Sequence, residues 1–195
     1  MANGPIDIAL RVVTVLDGLG IPYVLGGSLA SSLVGEPRST ADVDMAIRIG
    51  EEDVARLVRA LESEFYVSED AALDAVRRHA SFNLVHLETV QKVDLFVLGD
   101  GLLDRRQLEG RTRIVVREDP PCELWVGSAE DQILRKLTWY RARGEVSDRQ
   151  WRDVVGILSV QGPRLDLSRV REVARELELT DLLDRAISEA HSGSR

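Results

Sequence analysis

The chain has 195 residues, 44% of them hydrophobic, which is enough to bury the core of one compact domain with an appendage or of two small domains. The formal net charge of -8 repels phosphate backbones and argues against bulk nucleic-acid binding, although it leaves room for a local basic groove. A single cysteine, Cys122, excludes an intrachain disulfide. The sequence has neither a signal-peptide layout nor an apolar run of about 20 residues, so we expect a soluble cytoplasmic protein that does not enter a membrane.

The first predicted elements are a helix, a strand and a glycine turn. Apolar residues at helical spacing predict a covering helix over residues 6–19. Tyr23-Val24-Leu25 predicts a short strand, Gly26-Gly27 a tight bend, and residues 28–34 a helix. Glycines let a backbone approach a phosphate closely, while Ser28 and the N–H groups of the first helical turn would point at it. The segment is therefore a candidate phosphate site, although a plain strand-to-helix turn is the commoner fate of a Gly-Gly pair.

Two carboxylates share one face of the next predicted strand. The apolar run from Ala41 to Ile49 predicts a buried strand, in which Asp42 and Asp44 project to the same side because side chains alternate. Burying carboxylates is costly unless cations or hydrogen-bond donors compensate them. A bound divalent metal ion is the simplest compensation, and a pair of solvated carboxylates at the end of an edge strand is the alternative.

A third carboxylate interrupts a later strand. Residues 81–87 and 91–98 predict paired strands, and Asp94 lies inside the apolar run of the second, where pairing would place it beside its sheet neighbours. Lys92 lies two residues earlier on the same strand face and is placed to pair with that carboxylate. The other elements predicted before residue 128 are helices at 51–65, 71–78 and 102–108 and strands at 66–67, 113–117 and 123–126.

From residue 128 onward the pattern is helical. Ser128 and Asp131 fit a capping box that opens a helix, and Ser147 opens a second helix in the same way. Ser168 and Thr180 are predicted to cap two more helices. The sequence therefore predicts a mixed core over residues 1–127 and a helical part over residues 128–195.

Taken together, Gly26-Gly27-Ser28, the segment Arg38-Ser39-Thr40-Ala41-Asp42-Val43-Asp44 and the later Asp94 resemble the nucleotidyltransferase superfamily that includes DNA polymerase β. The segment from Gly26 to Asp44 is most similar to small prokaryotic nucleotidyltransferases related to abortive-infection and toxin–antitoxin systems. The resemblance implies an α+β fold, in which helices flank a mixed β-sheet and the helical C-terminal part forms one wall of a cleft.

The resemblance also implies a role for each motif residue. Asp42 and Asp44 would bridge two Mg²⁺ ions and hold a nucleoside triphosphate, while Asp94 would ligate the second ion and help deprotonate an acceptor hydroxyl. Gly27 and Ser28, with Gly26 in the same turn, would hold the β- and γ-phosphates. Such a reaction needs positioning and charge neutralisation and uses no protein nucleophile.

Two basic residues are further candidates for contacts with the nucleotide. Arg38 lies four residues before Asp42 in a loop expected to rim the same cleft, and a solvated or bracing loop charge is its alternative. In the resembled branch, a helix with an acidic residue followed by lysine often packs beside the active site, and Asp131 with Lys136 fits that pattern. Lys136 would then neutralise triphosphate charge, and its alternative is an ordinary surface lysine.

The leading hypothesis is a Mg²⁺-dependent nucleotidyltransferase that moves a nucleoside monophosphate from a nucleoside triphosphate to a hydroxyl acceptor and releases pyrophosphate. The acceptor would be transfer RNA, a protein or a small molecule, and the acidity leans towards a cationic small molecule or a protein. One alternative is a catalytically weak nucleotide-binding or partner-binding module of a two-gene, toxin–antitoxin-like system, which would imply a partner protein. Another is an antibiotic nucleotidyltransferase of the aminoglycoside or lincosamide type.

Overall fold

The computed structural model describes residues 4–37 and 39–192. Helices and strands are mixed in the first two thirds of the chain, and the last third is helical. The elements are α1 (Pro5–Leu19), β1 (Tyr23–Leu25), α2 (Gly27–Val34), β2 (Val43–Ile47), α3 (Glu51–Leu61), β3 (Phe65–Tyr66), α4 (Glu69–Arg78), β4 (Ser81–His86), β5 (Lys92–Val97), α5 (Leu102–Glu109), β6 (Thr112–Glu118), β7 (Pro121–Val126), α6 (Ala129–Ala142), α7 (Asp148–Gln161), α8 (Leu167–Glu176) and α9 (Thr180–Ser192).

The strands form one seven-stranded sheet in the order β3-β4-β5-β2-β1-β7-β6. The pairs β2–β5 and β1–β7 are parallel, and the other neighbours are antiparallel. Helices α1 and α4 contact the sheet, and α3 packs against both of them. The predicted mixed sheet flanked by helices, with a helical C-terminal part, is confirmed.

Alternation along the central strands separates a core face from a polar face. In β5, Val93, Leu95 and Val97 are buried, while Lys92 is exposed and Asp94 is half-buried. The strand β2 repeats this pattern, with three buried apolar residues on one side and Asp44 on the other. Because adjacent paired residues project to the same side of a sheet, the two aspartates lie on the face that is not the apolar core.

The described residues divide into two compact units, and the division is not a single cut of the chain. One unit, the sheet unit, contains residues 4–29 and 39–127. The other, the helical unit, contains residues 30–37 and 128–192. Helix α2 therefore begins in the sheet unit and continues into the helical unit. There Ser31 Oγ donates to Gln132 Oε1 at 3.3 Å, and the Gln161 side-chain amide donates to the carbonyl of Val34.

The predicted cap of α8 is wrong, and Thr180 is the first residue of α9 instead of the cap that precedes it. Asp166 rather than Ser168 is the N-cap of α8, because its Oδ1 atom accepts the backbone N–H of Arg169 at 3.1 Å. The hydroxyl of Ser168 donates to the same carboxylate oxygen at 2.5 Å. These bonds, with that of Ser168 the stronger influence, hold the pKa of Asp166 below its usual value. The predicted caps Ser128 and Ser147 are confirmed, since each side chain accepts a backbone N–H of its own helix.

Helix α3 and strand β3 also have bounds that differ from the predicted 51–65 and 66–67. Helix α3 ends at Leu61 instead of reaching residue 65, because Phe65 pairs with His86 in the sheet.

Within residues 4–37 and 39–192, every helix falls short of the length and apolar character required for crossing a membrane.

Candidate functional site

The two central aspartates are direct neighbours across a pair of parallel strands. Asp44 of β2 is opposite Asp94 of β5 in the strand register. Neighbouring strands lie about 4.8 Å apart, and residues opposite each other project to one face, so the two carboxylates are adjacent. Both residues are half-buried, and the Asp94 side chain is 21% exposed. The sheet thus joins two acidic residues that are 50 positions apart in the sequence.

Asp42 precedes β2 by one residue and is exposed. In the part of the chain that the structure describes, no three histidine, cysteine or carboxylate side chains are gathered into a cluster that could hold a metal ion as they stand. The structure therefore pairs Asp44 with Asp94 and leaves Asp42 at the solvent-facing end of the strand. The joint role of the three residues as metal ligands stays a prediction.

The glycine turn lies against Asp44. Gly27 has a φ of 59°, in the left-handed region, and a Cβ atom built on it would lie 1.8 Å from Asp44 Oδ2 and 2.5 Å from its Cγ. The backbone N–H of Gly26 donates to the Asp44 carbonyl at 2.9 Å. Since any larger residue at position 27 would overlap the carboxylate, glycine is required for this close approach. The predicted turn and the predicted acidic strand therefore form one place in the fold.

Ser28 follows this turn at the beginning of α2 and is 5% exposed. The N-terminus of a helix carries a partial positive charge, which stabilises a nearby carboxylate and favours anions. In this structure the carboxylate of Asp44 lies beside that terminus. The chemistry agrees with a phosphate-binding turn, and the phosphate contacts of Gly26, Gly27 and Ser28 stay predictions.

A lysine neutralises Asp94. The Lys92 ammonium lies 2.8 Å from Oδ1 and 3.1 Å from Oδ2 of Asp94. The Lys92 side chain is 47% exposed, so water screens this pair and its contribution to stability is small. The pairing expected from the sequence is present, and it gives the carboxylate a cation that is easily displaced.

The two further basic candidates are Arg38 and Lys136. Arg38 lies outside the described residues. The side chain of Lys136 is 4% exposed within the helical unit, where its Nζ lies 2.7 Å from Asp153 Oδ2 and 3.3 Å from Gln150 Oε1. The alternative of a surface lysine therefore does not hold, and the ion pair with Asp153 gives Lys136 a structural role. Its contact with a triphosphate stays a prediction.

Sequence reasoning missed two residues on the aspartate-bearing face. Asn83 of β4 is opposite Asp94 on the side away from Asp44. Tyr66 of β3 is opposite Val85, and its side chain is 65% exposed. The alternation of β4, in which residues 82, 84 and 86 are buried, is the signal that could have assigned Asn83 to this face.

No family model matches the sequence, and no curated protein matches it either. Several solved structures are similar to it. An antigenic nucleotidyltransferase-like protein from Paracoccidioides brasiliensis is 19% identical over 92% of this chain and 91% of its own, with a TM-score of 0.53. ANT(2'')-Ia in complex with adenylyl-2''-tobramycin is 14% identical over 87% of this chain and 96% of its own, with a TM-score of 0.59.

The lincosamide antibiotic adenylyltransferase LnuA, with lincomycin bound, is 12% identical over 78% of this chain and 95% of its own, with a TM-score of 0.50. At these identities the similarity is one of fold. The chain has the fold of the nucleotidyltransferases, and the resemblance noted in the sequence is confirmed at that level.

Proposed function

We propose that the chain is a Mg²⁺-dependent nucleotidyltransferase, which moves a nucleoside monophosphate from a nucleoside triphosphate to a hydroxyl acceptor and releases pyrophosphate. The observation that carries this proposal is the contact of the glycine turn with Asp44, which is itself opposite Asp94. A helix N-terminus suited to phosphate thereby adjoins two carboxylates suited to divalent ions.

The donor set fits Mg²⁺. Magnesium prefers oxygen ligands in octahedral geometry and keeps some of its waters, so a few carboxylate oxygens together with phosphate oxygens suffice. Asp42, Asp44 and Asp94 would hold two such ions. When bound, they would supply charge neutralisation for the triphosphate and for the charge that develops during transfer.

The protein residues would position the substrates and move one proton. Gly26, Gly27 and Ser28 would bind the β- and γ-phosphates through the turn and the start of α2. A carboxylate oxygen of Asp94 would accept the proton of the acceptor hydroxyl. The hydroxyl oxygen would then bond to the α-phosphorus as the bond to the β-phosphate oxygen breaks, and pyrophosphate would leave with that electron pair. We retain Arg38 and Lys136 as proposed contacts of the nucleotide.

Nucleotide binding and transfer can be measured separately. We expect isothermal titration to show binding of at least one of the four nucleoside triphosphates in the presence of Mg²⁺, and we expect Asp44→Asn to abolish it. Asp100→Asn is the matched control, since the Asp100 side chain is 90% exposed and lies outside the proposed site. Incubation with α-labelled nucleotides and a cell extract should then label one acceptor. Binding that Asp44→Asn leaves intact would contradict the proposed site.

One observation favours a second candidate function. The ion pair of Lys92 with Asp94 gives this carboxylate a cation from the chain itself. A nucleotide-binding module with weak catalysis, in which a partner protein uses the bound state, would be compatible with that arrangement. The same experiment separates the two candidates: such a module binds a nucleotide in an Asp44-dependent way and labels nothing with any of the four nucleotides.

A further inference from the structure

The face that bears Asp94 continues across β4 and β3 as an open surface. Asn83 is opposite Asp94, Val85 is opposite Lys92, and Tyr66 is opposite Val85. Residues paired in this way project to the same face of a sheet. Asn83 is exposed, Val85 is half-buried and Tyr66 is 65% exposed. This outer surface, formed by Tyr66, Asn83 and Val85, has no part in the proposed binding of the triphosphate.

The strand order indicates from which side an acceptor would approach in the proposed reaction. The glycine turn follows β1, which lies on one side of β2, whereas β5 and then β4 lie on the other side. If the β- and γ-phosphates bind at that turn, pyrophosphate leaves towards β1. In-line displacement places the attacking oxygen opposite the leaving oxygen, so the acceptor hydroxyl approaches from the side of β5 and β4.

We propose that Tyr66, Asn83 and Val85 bind the acceptor, and that the acceptor is a small molecule with hydroxyl groups on a ring. This inference rests on the proposed nucleotidyl transfer. The side-chain amide of Asn83 both donates and accepts hydrogen bonds, which suits a hydroxyl group beside Asp94. Tyr66 offers an exposed aromatic face two strands and two residues from Asp94, at about 12 Å, which is the reach of about two sugar-sized rings.

The charges of this surface disfavour a nucleic-acid acceptor. Phosphate backbones are bound by clusters of arginine and lysine. Among the residues of strands β2, β3, β4 and β5, Lys92 is the one arginine or lysine, and it pairs with Asp94. Tyr66, Asn83 and Val85 carry no charge. The surface therefore suits a neutral or cationic ring compound better than the end of a transfer RNA.

The test measures acceptor binding with Mg²⁺ and a non-hydrolysable triphosphate present. The probes are tobramycin, lincomycin and methyl glucoside as ring compounds, and a short single-stranded RNA as the contrasting acceptor. We expect at least one ring compound to bind, and we expect Tyr66→Ala and Asn83→Ala each to weaken it about tenfold. Tyr66→Phe keeps the ring and should bind as the wild type does. Val115→Ala is the surface control, because Val115 is 53% exposed on β6 at the other end of the sheet.

Each outcome decides for or against the acceptor surface. Binding that responds to Tyr66→Ala and Asn83→Ala but not to Val115→Ala supports it. If a ring compound binds equally well to the wild type and to both alanine variants, the proposed location of the acceptor is wrong. If only the RNA binds, or no probe binds, the proposed class of acceptor is wrong. Titration of Mg²⁺ and triphosphate on the same samples tests the nucleotide site independently, so failure of the acceptor surface is distinguishable from failure of the proposed function.

Discussion

Gly27 lies so close to Asp44 that a single added carbon would overlap the carboxylate, at 1.8 Å from its Oδ2 atom. The φ of Gly27 is also positive, so the turn needs glycine both for its backbone and for the space beside it. A turn that needs both is more restrictive than an ordinary strand-to-helix bend. The two requirements can be separated by substitution.

Gly27→Ala should abolish nucleotide binding and destabilise the fold by about 2 kcal/mol or more, because the new methyl group both strains the backbone and displaces Asp44. Gly20→Ala is the matched control. Gly20 has a φ of 72°, but a Cβ there would meet nothing within 4 Å. The Gly20→Ala substitution should therefore lower the free energy of unfolding by about 1 kcal/mol and leave nucleotide binding intact. Urea unfolding and nucleotide titration measure both effects. Equal losses of binding in the two variants would contradict the proposed importance of the Asp44 contact.

Asp94→Asn should separate binding from chemistry. The amide keeps the size of the side chain and removes its ability to accept a proton, so transfer should fall by about 100-fold or more. Nucleotide binding should weaken less than it does in Asp44→Asn, because Asp44 is the residue beside the glycine turn. Single-turnover transfer and titration on the same protein give the comparison. A variant that transfers at the wild-type rate would remove Asp94 from the proposed mechanism.

Lys92→Met should lower the Mg²⁺ concentration needed for half-maximal nucleotide binding, since Lys92 and a metal ion compete for the Asp94 carboxylate. Stability should change by less than about 1 kcal/mol, because the Lys92 side chain is 47% exposed and water screens the pair. Arg113→Met is the control, since it removes another exposed ion pair, with Glu123 at 3.2 Å. An unchanged or increased Mg²⁺ requirement in Lys92→Met would speak against this competition.

Lys136→Met should destabilise the helical unit by about 3 to 5 kcal/mol, because it removes the ammonium group that pairs with the buried carboxylate of Asp153. Adding Asp153→Leu to this variant should restore much of the loss, since two apolar side chains then replace the ion pair. Chemical unfolding of the wild type, both single variants and the double variant measures the coupling. Simple addition of the two single effects would show that the pair contributes little.

Burial raises the pKa of the Tyr23 phenol, while the backbone N–H of Trp125, which donates to its oxygen, works in the opposite direction. Above the ordinary value of 10.0 the unfolded chain loses this proton and the folded protein keeps it, so the folded state loses stability as the pH rises. Tyr23→Phe should therefore make the melting temperature fall less steeply above pH 10. An equal slope in Tyr23→Phe and in the wild type would contradict this role of the phenol.

Alternation and capping were the parts of the fold that the sequence could predict. The central strands and the caps Ser128 and Ser147 follow from local patterns, in which each residue's environment depends on neighbours within a few positions. The cap of α8 was wrong because Asp166 and Ser168 both suit that position and differ only in the bonds they make in the folded chain.

The candidate site was predictable as a set of residues and not as an arrangement. The spacing of Asp42 and Asp44 indicated one strand face, but the register that sets Asp44 opposite Asp94 depends on how distant strands pair. The same holds for Asn83 and for the ion pair of Lys136 with Asp153, whose partners no local pattern identifies. Long-range pairing therefore accounts for most of what the sequence did not reveal.

Helix α2 has a practical consequence for dissecting this protein. Its first residue, Gly27, lies against Asp44. Its later residues Ser31 and Val34 form hydrogen bonds with Gln132 and Gln161. A fragment that stopped at residue 127 would keep every strand yet lose the partners of that helix, and with them the support of the glycine turn. Neither residues 1–127 nor residues 128–195 should be stable when expressed alone, and co-expression of the two fragments should be needed to recover folded protein.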